Sequence, residues 1–289
     1  MVTDNAVFPP LRDPVVPDWS AIRLPDTWPD RLDLRSPVNL LRFLRRVVGE
    51  RRRLEIPADL PGRELLPKYI LQEFHNLPNG NYSKKITQGY ITGFDRVMLG
   101  QMQHARKRLA EFLRGCDSAL DVGSAGGRLA AELKAAGVAE VWGLDPSPYL
   151  LQHAARANPA VNFVQGVAER TGFPDQRFDG VAACFLLHEI PPRYVDQSLR
   201  EFNRILKPGG LLAICEPSPL NLRRDPRQWF KRGGLRTLYF HLLARFVHEP
   251  FIDAWHRVDA VASLKATGFE PVLDQQAAPL RFLFARKIG

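Results

Sequence analysis

The segment Ser118-Ala-Leu-Asp-Val-Gly-Ser-Ala-Gly-Gly-Arg-Leu-Ala130 constrains this chain more than any other. It reads as a short buried strand, a glycine-rich turn and the start of a helix. The next apolar run, Glu140-Val-Trp-Gly-Leu144, ends in Asp145. A glycine turn followed by a carboxylate about 20 positions on is the layout of a nucleoside-binding α/β unit. The glycines let backbone approach a ligand closely. The second carboxylate accepts hydrogen bonds from ribose hydroxyls.

Two nucleoside cofactors use this layout. A dinucleotide site places glycine at three fixed positions, so that a pyrophosphate can sit on the helix N-terminus. Here Gly123 is followed by Ala125 and Arg128 at the second and third of them, and that fingerprint fails. Asp121 sits two residues before Gly123, at the strand end. A carboxylate there suits a cationic ligand without phosphates, such as the ammonium and sulfonium of S-adenosylmethionine (SAM).

Downstream, Val161-Asn-Phe-Val-Gln-Gly-Val-Ala-Glu169 reads as a third strand and turn. Arg177 to Glu189 holds a fourth strand ending near His188, and Leu199 to Leu206 reads as helix. Lys207-Pro-Gly-Gly210 breaks that helix before a fifth strand, Leu211-Leu-Ala-Ile-Cys-Glu-Pro217. With Leu120-Asp-Val-Gly-Ser-Ala-Gly-Gly127, Gly143-Leu-Asp-Pro-Ser147, Phe178-Asp-Gly-Val181, Leu187-His188 and Leu206-Lys-Pro-Gly-Gly-Leu211, the chain resembles the class I SAM-dependent methyltransferases, near the ubiquinone/menaquinone C-methyltransferases. The motifs stand in that family's order from about Arg108 to Gly289. The resemblance implies a Rossmann-like α/β fold: a seven-stranded, mostly parallel sheet with helices on both faces and the last strand antiparallel.

The resemblance also implies roles. Asp121 and Gly123 border the methionine part of SAM, with Ser124 and Ala125 completing the turn. Asp145 takes the ribose hydroxyls, beside Pro146 and Ser147. Ala168, through its amide, or Glu169 holds adenine, because Val167 stands where the family often has Asp. Cys184 and Phe185 line the inner side. His188 and Glu189 follow at the rim, where either serves as proton acceptor; a packing or helix-capping histidine is the other reading of His188. Tyr90, Tyr82 and Arg96 are candidates to close over the cofactor, and Tyr82 is also a candidate to touch the acceptor. Ala125 departs from the family's middle glycine by one methyl group.

Residues 1–107 are expected to form an arm and helical extension, and 108–289 the SAM-binding domain with a helical insert at 218–250. The arm to about Pro37 is rich in Pro, Asp and Trp and reads as extended chain. Pro37 to Leu54 reads as a helix with Val38, Leu41, Leu44 and Val48 on one side and arginines around the rest. In the insert, Trp229 and Phe230 lie among cations and are candidate acceptor contacts. Leu235 to Val247 reads as a helix whose apolar face packs on the core, forms a lid, or rests on anionic lipid. A last helix over Ile252–Thr267 and strands at Phe269–Leu273 and Leu280–Ala285 close the sheet. The formal net charge is +9. Residues 1–115 carry +6 and 220–250 carry +5, whereas the core at 116–219 carries −3.

The three cysteines are far apart in sequence, with no metal-type Cys/His spacing, so no metal is expected. Nothing at the N-terminus reads as a signal peptide, no run is long enough to span a bilayer, and a cytoplasmic location is expected. No Asn/Asp-Pro-Pro-Tyr tetrapeptide follows the fourth strand, where the sequence is Leu187-His-Glu-Ile-Pro-Pro192. That disfavours methylation of an exocyclic base or glutamine amide. The expected activity is O- or C-methylation of a small apolar or anionic acceptor, leaving S-adenosylhomocysteine. An RNA or protein methyltransferase using the basic segments, and a SAM-binding protein without catalysis, are the alternatives.

Overall fold

A computed structural model describes residues 12–49, 52–222, 234–247 and 249–289. The elements, in chain order, are α1 (Pro37–Val48), α2 (Lys84–Val97), α3 (Gln101–Phe112), β1 (Ser118–Val122), α4 (Arg128–Ala135), β2 (Glu140–Asp145), α5 (Pro148–Ala157), β3 (Asn162–Gln165), β4 (Phe178–Cys184), α6 (Pro192–Ile205), β5 (Leu206–Pro217), α7 (Gly234–Phe246), α8 (Ile252–Trp255), α9 (Ala260–Ala266), β6 (Phe269–Ala277) and β7 (Leu280–Lys287). The seven strands form one sheet in the order β3-β2-β1-β4-β5-β7-β6. β1 to β5 run parallel, and β7 is antiparallel to β5 and β6. This is the Rossmann-like architecture expected from the motifs.

The strand order reverses between β1 and β4, which pair through Leu120–Val181 and Asp121–Ala182. In an open α/β sheet, such a switch point opens a crevice at the strands' carboxyl ends. Alternation along β1 serves both faces. Ala119 joins the core cluster with Met102 and Leu109 of α3 and Leu133 of α4. Leu120 and Val122 join the opposite cluster with Phe178, Phe202 of α6 and Leu264 of α9. α3 spans the division at 107, since its Met102 and Ala105 lie in the same cluster as Leu109 and Leu113.

The described part of the arm wraps the domain. The Trp19 indole Nε1 donates to the Phe163 carbonyl at 2.9 Å, and Gln152 Nε2 donates to the carbonyls of Trp19 and Ile22. Asp13 takes the Arg177 guanidinium at 2.8 Å. These bonds order a segment that has no helix or strand of its own.

The last predicted helix, α1 and α7 differ from their sequence reading. The predicted last helix is two, because the Asp259 carboxylate accepts from the Ala262 amide at 3.0 Å and caps a new start. α1 ends at Val48, and its apolar side faces outward: Asn39, Phe43, Arg46 and Val47 are half-buried, while Val38, Leu41, Leu44 and Val48 are exposed. α7 divides likewise, with Phe240 and His241 buried and Leu235, Leu242 and Phe246 exposed.

Candidate active site

A cavity opens at the switch point, walled by the carboxyl ends of β1, β2 and β4 and capped by segments from 54 to 106. Asp121, Gly123, Ser124, Ala125, Asp145, Pro146, Ser147, Ala168, Cys184, Phe185, Glu189, Tyr82 and Tyr90 all line it. Glu169 and His188 do not. Arg96 is exposed and outside it. Trp229 and Phe230 lie outside the described residues. Among the described residues of the Pro37–Leu54 segment, only Leu54 reaches the wall.

The glycine turn is built around Asp145. Its Oδ2 accepts from the Ala125 amide and its Oδ1 from the Ser147 amide, both at 2.9 Å. Ser147 Oγ in turn caps α5 by accepting from Leu150 N. Ala125 has φ +45°, in the left-handed region where glycine is the default, so the methyl group that replaces the family's glycine is held at a steric cost. Gly127 (φ +75°) cannot carry one: an added Cβ would lie 2.8 Å from Phe163 Cζ.

Asp121 accepts from the Ala130 amide at 3.0 Å. Burial, with the nearby Asp145 charge adding to it, pushes its pKa up to about 7. Burial alone dominates at Asp145, also pushed to about 7. Two buried carboxyls in one wall, neither paired with a cation among the described residues, favour a cationic ligand between them. On the same side, Asp95 Oδ2 takes the Arg106 guanidinium at 2.5 Å and also the Arg128 guanidinium. Arg128, which spoils the dinucleotide turn, is thus part of the wall.

Polar atoms around the cradle are unsatisfied. Ser124 Oγ, Asn81 Oδ1, Tyr82 OH and Asp95 Oδ1 are buried without a hydrogen-bond partner. Orphaned buried groups carry a desolvation cost of about 1–3 kcal/mol each. A ribose diol and an amino-acid ammonium have the hydroxyls and N–H groups to satisfy them, so these residues fit SAM.

Glu169 is displaced from its expected place beside adenine. Both its oxygens lie 3.0 Å from Tyr69 OH, and Tyr69 enters the wall instead. Gly166, Val167 and Ala168 form the wall there, through backbone and a small side chain.

His188 is corrected more strongly. It is fully buried, with Nδ1 2.5 Å from Glu216 Oε2. Glu216 also accepts the amides of Leu186, Leu187 and His188, fastening the turn after β4 to the end of β5. Burial pulls the His188 ring toward neutrality, but Glu216 and Glu249 outweigh it and hold its pKa well above the ordinary value. A ring with no exposed surface, outside the cavity wall and locked by a carboxylate, is a packing histidine and not a rim base. Fastening the turn at the end of β4 brings Phe185 into the left-handed region (φ +57°), which a bulky residue rarely adopts.

The histidine that does enter the cavity is His75, which the sequence reading missed. Its Nε2 lies 3.1 Å from Glu189 Oε1 and 3.8 Å from Glu249 Oε1. Its Nδ1 is buried and unpartnered, and its ring lies 6.0 Å from and parallel to Tyr90. Burial lowers its pKa, and Glu189, with Glu249 adding to it, more than restores it, leaving it raised. His75 stands 113 positions upstream of the motif histidine, in a turn with no periodicity to mark it.

Residues 120–214 match the family described as a methyltransferase domain. Over 98 residues the chain is 40% identical to the demethylmenaquinone methyltransferase of Chlorobaculum parvum, covering 34% of this chain and 40% of that one. Over 67 residues it is 43% identical to the ubiquinone/menaquinone biosynthesis C-methyltransferase of Hahella chejuensis, covering 23% of this chain and 25% of that one. The chain thus spans less than half the length of these relatives. The chain of Pyrococcus horikoshii protein PH0226 superposes with a TM-score of 0.50 at 17% identity, over 67% of this chain and 98% of that one, a likeness of fold. Family match and sheet order agree: residues 120–214 form a methyltransferase domain, and its carboxylate-lined glycine turn fits SAM.

Proposed function

We propose that the protein transfers a methyl group from SAM to a small, largely apolar acceptor, on oxygen or on an acidic carbon, and that His75 takes the acceptor's proton. The observation that carries this is the pair His75–Glu189 in the cavity wall, with one ring nitrogen on the carboxylate and the other unpartnered. SAM, when bound, supplies an electrophilic methyl group. Asp121 would meet its ammonium, Arg106 and Arg128 its carboxylate, and Asp145 its ribose hydroxyls. Tyr90, Phe94, Phe185 and Ile190 leave an apolar space beside His75. Glu189 orients the ring and stabilises the imidazolium that forms as the proton arrives. The names of the matched relatives, which act on demethylmenaquinone or in quinone biosynthesis, support an apolar acceptor of this kind.

The test is S-adenosylhomocysteine release with a panel of phenols, hydroquinones and 1,3-dicarbonyl acids, in the wild type and His75→Gln. Turnover of at least one acceptor that drops about 100-fold or more in the variant, with SAM affinity retained, is the expected result. Turnover unaffected by His75→Gln removes the assigned base. SAM binding with no turnover across the panel removes the proposal.

A further inference from the structure

α1 and α7 present surfaces of the same kind. On α1, Leu40, Leu41, Leu44 and Val48 form one exposed stripe, flanked by Arg45 and Arg42. On α7, Leu235, Tyr239, Leu242 and Phe246 form another, flanked by Arg236 and Arg245. With exposures of 74% at Val48, 78% at Leu235 and 66% at Phe246, these stripes are left uncovered by the described residues. Neither helix contains an acidic residue. Five arginines, Arg42, Arg45, Arg46, Arg52 and Arg53, wall one groove beside α1, against two carboxylates, Glu55 and Glu73. One stretch of chain holds both helices: Arg46 bonds Glu73 Oε1 at 2.6 Å, and the Asn76 side chain donates to the Phe246 carbonyl at 2.7 Å.

We propose that α1 and α7 together dock the protein on an anionic lipid bilayer, with the apolar stripes at the acyl boundary and the arginines on the headgroups. A helix lying in the interface needs an outward apolar face bordered by cations, and both helices have that form. Charge complementarity selects this occupant over the others. Two copies meeting through these faces would set arginine flank against arginine flank. A nucleic acid would meet leucine and valine at the centre of the α1 face, where stacking requires aromatic rings. No helix among the described residues is long and apolar enough to cross a membrane, so the contact is peripheral. The inference does not depend on methyl transfer.

The test is co-sedimentation of the full chain with phosphatidylcholine vesicles, with and without phosphatidylglycerol. Binding is expected to be about tenfold or more tighter to the anionic vesicles. Leu41→Asp with Leu44→Asp, Leu242→Asp with Phe246→Asp, and Arg42→Glu with Arg45→Glu should each weaken it by about tenfold or more. These positions are exposed, and thermal melts check that the variants fold. Leu44→Cys carrying an environment-sensitive dye reads the same contact without a charge change, through a blue shift on anionic vesicles only. Absence of vesicle binding overturns the proposal. So does a concentration-dependent dimer dispersed by the leucine variants without lipid binding, or RNA binding lost only in the arginine variant.

Discussion

His188 Nδ1 and Glu216 Oε2 are 2.5 Å apart, and neither side chain is accessible to solvent. The pair joins the turn after β4 to the end of β5, directly behind the cavity wall. His188→Ala would leave a buried carboxylate without its cation, a loss of about 3–5 kcal/mol. Because the folded His188 pKa is raised, the pair's contribution is complete below the ordinary value of 6.5 and is lost as pH rises through the folded value. The melting difference between wild type and His188→Ala should therefore shrink in alkaline buffer. A difference that grows with pH would mean that His188 is neutral when folded.

The proposed proton acceptor, His75, should report its partner. Glu189 does most to raise the His75 pKa, so turnover should rise with pH through an apparent value above 6.5. Glu189→Gln should move that value down. A pH–rate profile that ignores the substitution would separate Glu189 from the base.

SAM affinity should depend on pH near neutrality. Asp121 and Asp145 hold protons in the free protein up to about 7, while an ammonium and a ribose diol favour the carboxylates. Affinity should rise between pH 6 and pH 8, with a limiting slope of about tenfold per unit for each group. The sign for the free protein is opposite. The folded state keeps protons that the unfolded chain loses from about 4 upward, so its stability falls as pH rises toward 7. Calorimetry in buffers of different ionisation enthalpy would show proton release on binding; its absence would place both carboxyls in their charged form already.

Asp145→Ala removes the acceptor at the centre of the turn. Charge-assisted hydrogen bonds are worth about 1.5–3 kcal/mol each, so SAM should bind at least tenfold more weakly. An unchanged dissociation constant by titration calorimetry would move the ribose elsewhere.

Ala125→Gly should raise stability. The left-handed conformation costs a β-carbon about 1–2 kcal/mol, while glycine costs about 0.5–1 kcal/mol in the unfolded chain. The net gain is of order 0.5–1 kcal/mol, visible as a higher melting temperature. A lower one would show that the methyl group packs usefully.

The sheet was legible because its strands are continuous apolar runs separated by glycine turns, and Asp121 and Asp145 fall at strand ends where spacing alone places them. The bases were harder. Leu187-His188-Glu189 puts two candidates side by side in sequence, yet the turn sends Glu189 into the cavity and His188 behind it. His75 and Tyr69 reach the site across more than 90 residues of chain, and nothing local marks them. The outward stripe of α1 has the period of a core-facing helix. Periodicity shows that such a stripe exists, not which way it points.

The bond from the Trp19 indole to the Phe163 carbonyl has a meaning apart from the site. β3 is the last strand on its side of the sheet, and an uncovered edge offers its backbone to any passing strand. The N-terminal arm reaches that border at Trp19, whose indole occupies one of its carbonyls. Shortening it would uncover a surface that recruits other chains, so a truncated protein should fail first by self-association, before its cofactor site is disturbed.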